Sequence, residues 1–149
     1  MAFVIGLPAR NTDKLIFHGA KFYADDSFLS LGMAMESPGY TDNREGIYIV
    51  QPEKMVETWL PWWEAGFQIH IHANGNGAIR TTLDALETLQ QLKPRADHRT
   101  TLQHFGMAST ESVLRLARLG GVASVNPSYV YSRSEFNAPY VGSDRAYTA

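Results

Sequence analysis

Residues 66–78 read Gly66-Phe67-Gln68-Ile69-His70-Ile71-His72-Ala73-Asn74-Gly75-Asn76-Gly77-Ala78. From Phe67 to Ala73 apolar and polar side chains alternate, the period of a strand with two different faces. The run Asn74-Gly75-Asn76-Gly77 follows; on its own it is a tight turn, and its glycines say nothing about phosphate. Residues 78–92 then set Ile79, Leu83, Leu86 and Leu89 on one side at helical spacing. Strand, turn and amphipathic helix make one βα unit. Its strand ends in His70 and His72, which are two apart and so point to the same face.

Similar units flank it. Residues 15–24, LIFHGAKFYA, are apolar and aromatic and predict a strand that stops at Asp25-Asp26. Residues 27–49 hold Pro38, three glycines and little periodicity, and a stretch this long is more often a functional loop than a plain connector. Pro52 and Glu53 open a helix. Met55, Trp59, Trp62 and Trp63 form its apolar side and are core candidates, Pro61 is expected to kink or split it, and Gly66 stops it. Residues 100–103 are a third strand, and Ser109 or Thr110 caps a helix reaching Leu119. Gly120-Gly121 ends that helix, and residues 122–125 are a fourth strand that stops at Asn126-Pro127. The tail from Ser128 is polar and aromatic, with one short helix expected near Gly142–Tyr147, so that Asp144 starts a helix and is no catalytic candidate. Strand–helix alternation with short turns predicts parallel strands joined by right-handed crossovers.

The 149 residues fit one domain, 44% hydrophobic and 19% charged, with a formal net charge of −2. Lysines and arginines are scattered, which argues against a nucleic-acid partner. The absence of cysteine excludes disulfides and thiolate metal sites, so any metal would rest on other side chains. No stretch approaches the ~20 apolar residues needed to span a bilayer. Met1–Leu7 lacks a basic flank and makes a poor signal peptide, so a cytoplasmic location with no membrane partner is expected.

Chemistry-bearing residues fall at strand ends. Lys21 lies late in the first strand, His70 and His72 at the end of the second, and His104 at the end of the third. In parallel α/β folds the carboxyl ends of strands line the active site. His72 and His104 are separated by about the length of one βα repeat (~30 residues), and Lys21 precedes His72 by one repeat plus the long loop. Neutral imidazoles on neighbouring strand ends suit a shared ion. A single strand-end histidine is more often structural, and His18 and His98, outside the pattern, are read so.

These segments resemble the amidohydrolase family 3 branch of the amidohydrolase superfamily, which includes N-substituted formamide deformylase-like enzymes. Residues 66–78 are similar to its fifth-strand motif. Ala20-Lys21-Phe22-Tyr23-Ala24-Asp25-Asp26-Ser27-Phe28 is similar to its fourth-strand lysine motif. Arg99-Thr100-Thr101-Leu102-Gln103-His104-Phe105 resembles the sixth, residues 119–127 the seventh, and Arg145-Ala146 a pair before the eighth. The resemblance implies a partial (β/α)8 TIM-type barrel of about four parallel βα units, strands four to seven, over residues 1–149. It implies one or two divalent ions, usually zinc, and hydrolysis of a C–N bond in a small-molecule amide or formamide by an activated water. Lys21 would be a metal ligand as a CO2-derived carbamate, since an ammonium has no lone pair. His72 and His104 would be the imidazole ligands, and His70 is a candidate substrate contact.

Departures from the pattern accompany the match. The first-strand His-x-His pair and the eighth-strand Asp have no counterparts, so no catalytic residue is assigned. Asn76 stands where Asp is usual, Gln103 where many members have Glu, and Asp26 where Gly is common. A half-barrel leaves barrel-facing side chains and sheet edges open. The expected partner is therefore the remaining barrel half, a second copy, or the rest of a longer chain. Two other functions compete with a hydrolase that is inactive alone: a catalytically dead βα domain for binding or assembly, and, last, a flavodoxin-like module.

Overall fold

The chain is described by a computed structural model over residues 2–147. After helix α1 (Ala2–Ile5) and a short 3-10 turn at Leu7–Arg10 come β1 (Gly19–Tyr23), α2 (Pro52–Glu64), β2 (Gln68–Ala73), α3 (Asn76–Leu92), β3 (Thr101–His104), α4 (Thr110–Arg118) and β4 (Val122–Val125). A π-helical turn at Tyr129–Arg133, α5 (Ser134–Val141) and α6 (Ser143–Ala146) complete it. The strands form one parallel sheet in the order β1-β2-β3-β4. Because strand order never reverses, crossovers of one hand put α2, α3 and α4 on one face, as in a section of a barrel.

The core lies between that face and the helices. Ile69, Ile71, Ala73 and Leu102 from the sheet pack against Met55, Trp59 and Trp63 of α2 and Ile79, Leu83, Leu86 and Leu89 of α3, all nearly solvent-free. Phe22 meets Trp62 edge-on at 5.7 Å and Trp59 at 6.2 Å, so the tryptophans are core, as expected. Ser109 caps α4, its hydroxyl accepting from the Ser112 amide at 3.1 Å.

Several boundaries differ from the sequence expectation. β1 starts at Gly19 rather than at residue 15, since β2 offers a partner only from Gln68 onward. Leu15 and Ile16 are exposed, and the Phe17 amide turns instead to Asn11 Oδ1 at 2.7 Å. Pro61 does not split α2. The helix runs on through it without the bond that a Pro61 N–H would have made to the Glu57 carbonyl, and the Pro61 carbonyl still accepts from the Ala65 amide at 3.2 Å. α3 starts at Asn76, inside the expected turn, because the Ala34 carbonyl accepts from the Gly77 and Ala78 amides at 3.1 and 3.2 Å. The tail is more helical than its polarity suggests. Val141 and Ala146 are buried with Phe28, Met33, Met35 and Tyr40 of the long loop, and Thr41 binds the Pro139 and Tyr140 carbonyls at 2.8 Å. Loop and tail together form a second small core.

His98 is structural, as expected. It is buried beside Trp63, accepts from the Thr100 amide at Nδ1 (3.0 Å), and places Nε2 2.8 Å from the Leu119 carbonyl. Those partners suit a neutral ring, and burial lowers its pKa below 6.5. A base held neutral by the fold stabilises it fully above 6.5 and loses that contribution as pH falls through the depressed value. Urea midpoints should therefore fall on going from pH 7.5 to pH 5, and less steeply in His98→Gln. Equal slopes for the two proteins would refute this account.

Candidate functional site

Strand alternation divides the sheet. Phe22, Ile69, Ile71 and Leu102 face the helices, and Lys21, Tyr23, His70, His72 and Gln103 face the opposite, concave side. The register pairs Lys21 with His70, Tyr23 with His72 and His72 with Gln103, so these side chains form adjoining rows. His104 breaks the rule. It is paired with Ala73, which belongs to the helix side, and strict alternation would send it there. Its φ of 70° and that of Phe105, 48°, are left-handed, a conformation unusual for such side chains. This twist turns the ring to meet His72, with centroids 4.5 Å apart at 68°. An open concavity of about 590 Å³ lies over Lys21, Tyr23, His70, His72, Gln103 and His104. All four residues singled out from the sequence therefore line one surface.

Each ring has a defined setting. His72 Nε2 lies 3.2 Å from the Asp26 carbonyl and 2.8 Å from Asn74 Nδ2, which also donates to that carbonyl at 3.1 Å. His104 Nδ1 lies 3.1 Å from the Tyr129 hydroxyl. Burial lowers the pKa of both rings, and for His104 the neighbouring His72 and Lys21 add to it. His70 is lowered by burial and by Lys21. The Lys21 amine donates to Gln103 Oε1, sits 5.0 Å from the centre of the Tyr23 ring, and is itself lowered by burial. Neutral imidazoles and a lysine with a weakened hold on its proton are the states that metal ligation and carbamate formation require. Among the described residues no group of three or more His, Cys, Asp or Glu is placed to hold a metal ion, so the candidate set is two imidazoles and Lys21.

Four contributors were not singled out for these roles. Asp25, fully buried, accepts from the Asn74 amide at 2.9 Å, the Gly75 amide at 2.8 Å and the Ala34 amide at 3.1 Å, and lies 4.0 Å from His72 Nε2. Burial pushes its carboxyl up to about 7 against the pull of those amides. The other three are Asn74, Tyr129 and the side chain of Gln103. The acidic pair closing β1 was the sequence signal for Asp25; Tyr129 left none. The turn at residues 74–77 also does more than reverse the chain. Its amides hold Asp25, and Asn76 Oδ1 accepts from the Glu36 amide at 3.0 Å, which uses the Asn76 side chain in loop packing. His18 is exposed and contributes a backbone carbonyl to Gln68, so it is not part of the buried structure. Asp144 lies in the first turn of α6, and Arg145 donates to the Gly39 carbonyl at 2.5 Å. No helix among the described residues is long and apolar enough to cross a membrane.

Comparison with known proteins agrees with this fold. A metal-dependent hydrolase from Pyrococcus furiosus superposes with a TM-score of 0.80 at 22% identity, over 99% of this chain and 31% of that one. One from Pyrococcus horikoshii gives 0.76 at 20% identity, over 97% and 29%. These likenesses establish the fold, a partial TIM-type barrel. Protein LONG AFTER FAR-RED 3 of Arabidopsis thaliana is 30% identical over 134 residues, 89% of this chain and 23% of its own length. The chain thus spans between 23% and 31% of the length of these relatives. The sequence model of the Amidohydrolase family matches residues 4–146, nearly the whole chain and every strand of the sheet. With the ordered strand-end motifs and the shared surface they build, that match makes the chain a member of the amidohydrolase family.

Proposed function

We propose that this chain carries part of a divalent-metal centre, Lys21, His72 and His104, for hydrolysis of a C–N bond in a small amide or formamide. The observation that carries the reading is the left-handed turn at His104, which sets its ring 4.5 Å from that of His72 on the face that bears Lys21. The donor chemistry fits. The Asp26 carbonyl and Tyr129 hydroxyl engage His72 Nε2 and His104 Nδ1. Among the described residues this leaves His72 Nδ1 and His104 Nε2 without a protein partner, one nitrogen on each ring. His104 would offer its Nε2 lone pair with the ring proton on Nδ1. Lys21 would join as a carbamate: its neutral amine bonds the carbon of CO2, loses a proton, and presents oxygens in place of an ammonium. When bound, the ion, zinc by the family resemblance, would polarise the amide carbonyl and acidify a water.

His70, beside Lys21 on the concave surface, is placed to contact a substrate. The remaining ligands that the resemblance leads one to expect would come from the rest of a barrel or from a second copy. The open sheet supports this: all four residues of β4 are exposed, as is Tyr23 on the concave face of β1.

Zinc bound per chain, measured after reconstitution and dialysis for wild type, His72→Ala and His104→Ala, tests the reading. Near-stoichiometric zinc in wild type, lost in both variants, is expected. No zinc above the variants would overturn the half-site and favour a non-catalytic βα domain that binds or assembles.

A further inference from the structure

Tyr129 lies in the π-helical turn that follows β4, away from the strand ends that carry the candidate ligands. Its hydroxyl is 3.1 Å from His104 Nδ1, and the two rings are near-parallel at 28° with centroids 6.0 Å apart. Its ring packs on Phe28 at 4.4 Å, and Phe28 is almost fully buried in the loop–tail core. Gly106 makes that seat possible, since a Cβ there would fall 2.1 Å from the Phe28 ring.

His104 needs such a partner. Its left-handed backbone takes its side chain out of the strand's regular rows, so neighbouring strand residues do not fix the ring's rotation. An imidazole has two unlike nitrogens, and the bond made by one decides what the other can do. A phenolic oxygen has lone pairs that can accept His104 Nδ1–H at the observed 3.1 Å.

We infer that Tyr129 is a positioning residue for the candidate centre. It accepts the Nδ1–H of His104, fixes the ring in one tautomer, and presents the Nε2 lone pair to the face shared with His72. Through Phe28 it ties that ring to the long loop, whose first residues also hold His72 through the Asp26 carbonyl. The inference rests on the proposed role of His104 as a ligand, but the state of the ring is observable without metal.

The test uses the full chain labelled with 15N-histidine, metal-free and near neutral pH, as wild type, Tyr129→Phe and Tyr131→Phe. Phenylalanine keeps the ring against Phe28, and Tyr131, 95% exposed, is the control on the same turn. Long-range 1H–15N spectra should show His104 of wild type as one neutral tautomer protonated at Nδ1, and a mixture in Tyr129→Phe. Zinc affinity should fall roughly 10–100-fold in Tyr129→Phe, the usual effect of removing an outer partner of a ligating histidine. Tyr131→Phe should match wild type in both. An Nε2-protonated ring in wild type, or ring signals unchanged in Tyr129→Phe, would overturn the inference. If wild type takes up no zinc while the ring signals still change, the metal reading falls and the positioning role stands.

Discussion

Replacing Asp25 with alanine will destabilise the chain by about 4 kcal/mol, a large share of the stability of any domain this size. Asp25 is fully buried and binds three backbone amides from two distant segments, Ala34 of the long loop and Asn74 and Gly75 at the end of β2. Whether neutral or ionised, its oxygens have lone pairs for all three. Alanine leaves three buried N–H groups with no acceptor, at about 1–3 kcal/mol each before relaxation. Urea and thermal unfolding followed by circular dichroism would measure the loss, with a melting temperature lowered by roughly 8–16 °C. A loss below about 1 kcal/mol, the size of one ordinary hydrogen bond, would mean that the three amides find other partners and that Asp25 does not join loop to sheet.

Gly75→Ala will have an effect of similar size for a different reason. The obstacle is not backbone angle, since φ at Gly75 is −74°, open to any residue. It is space. A Cβ at Gly75 would lie 2.0 Å from the Ala34 carbonyl oxygen and 2.6 Å from its carbon, both backbone atoms that no rotamer change can move aside. The chain at Ala34 would have to withdraw, and with it the carbonyl that accepts from the Gly77 and Ala78 amides and the amide that donates to Asp25. Overpacking and lost bonds together should cost about 3 kcal/mol or more, or roughly 6–12 °C in melting temperature. Because Asp25 and Gly75 share partners, the double variant should lose less than the sum of the single losses. Strict additivity would show two independent defects and contradict a common cage. Both substitutions should also reduce zinc uptake, as Asp25 holds the segment whose carbonyl engages His72.

Much of this arrangement was legible in residue order. The period-two pattern of β2, the helical stripe of α3 and the Ser109 cap need only local geometry, and each appears within a residue or two of its expected place. Lys21, His70 and His72 fall on one face because alternation within each strand sets their apolar neighbours, Phe22, Ile69 and Ile71, against the helices. The exception at His104 was not legible. Alternation alone would have pointed it at the helices, and the left-handed pair at His104 and Phe105 has no periodic signal in the sequence. Tyr129 and Phe28 were hidden too, since their partners lie across the fold with no periodic signal between them, and the acidic pair at Asp25 marked a position but not its partners. The tail misled for a related reason. In α5 a proline sits inside the helix, and what buries Val141 is the long loop, not a stripe of its own.

Sequence by itself therefore determined the parallel βα architecture, the family, and the surface on which the candidate chemistry sits. Those depend on side-chain period, turn chemistry and motif order, which the chain carries locally. Tertiary structure alone decided that the two imidazoles meet, which ring nitrogen of each is bonded to the protein, and that the long loop and the tail hold them there. Those outcomes rest on single contacts between segments far apart in sequence, which exist only after the sheet and its helices have brought them together.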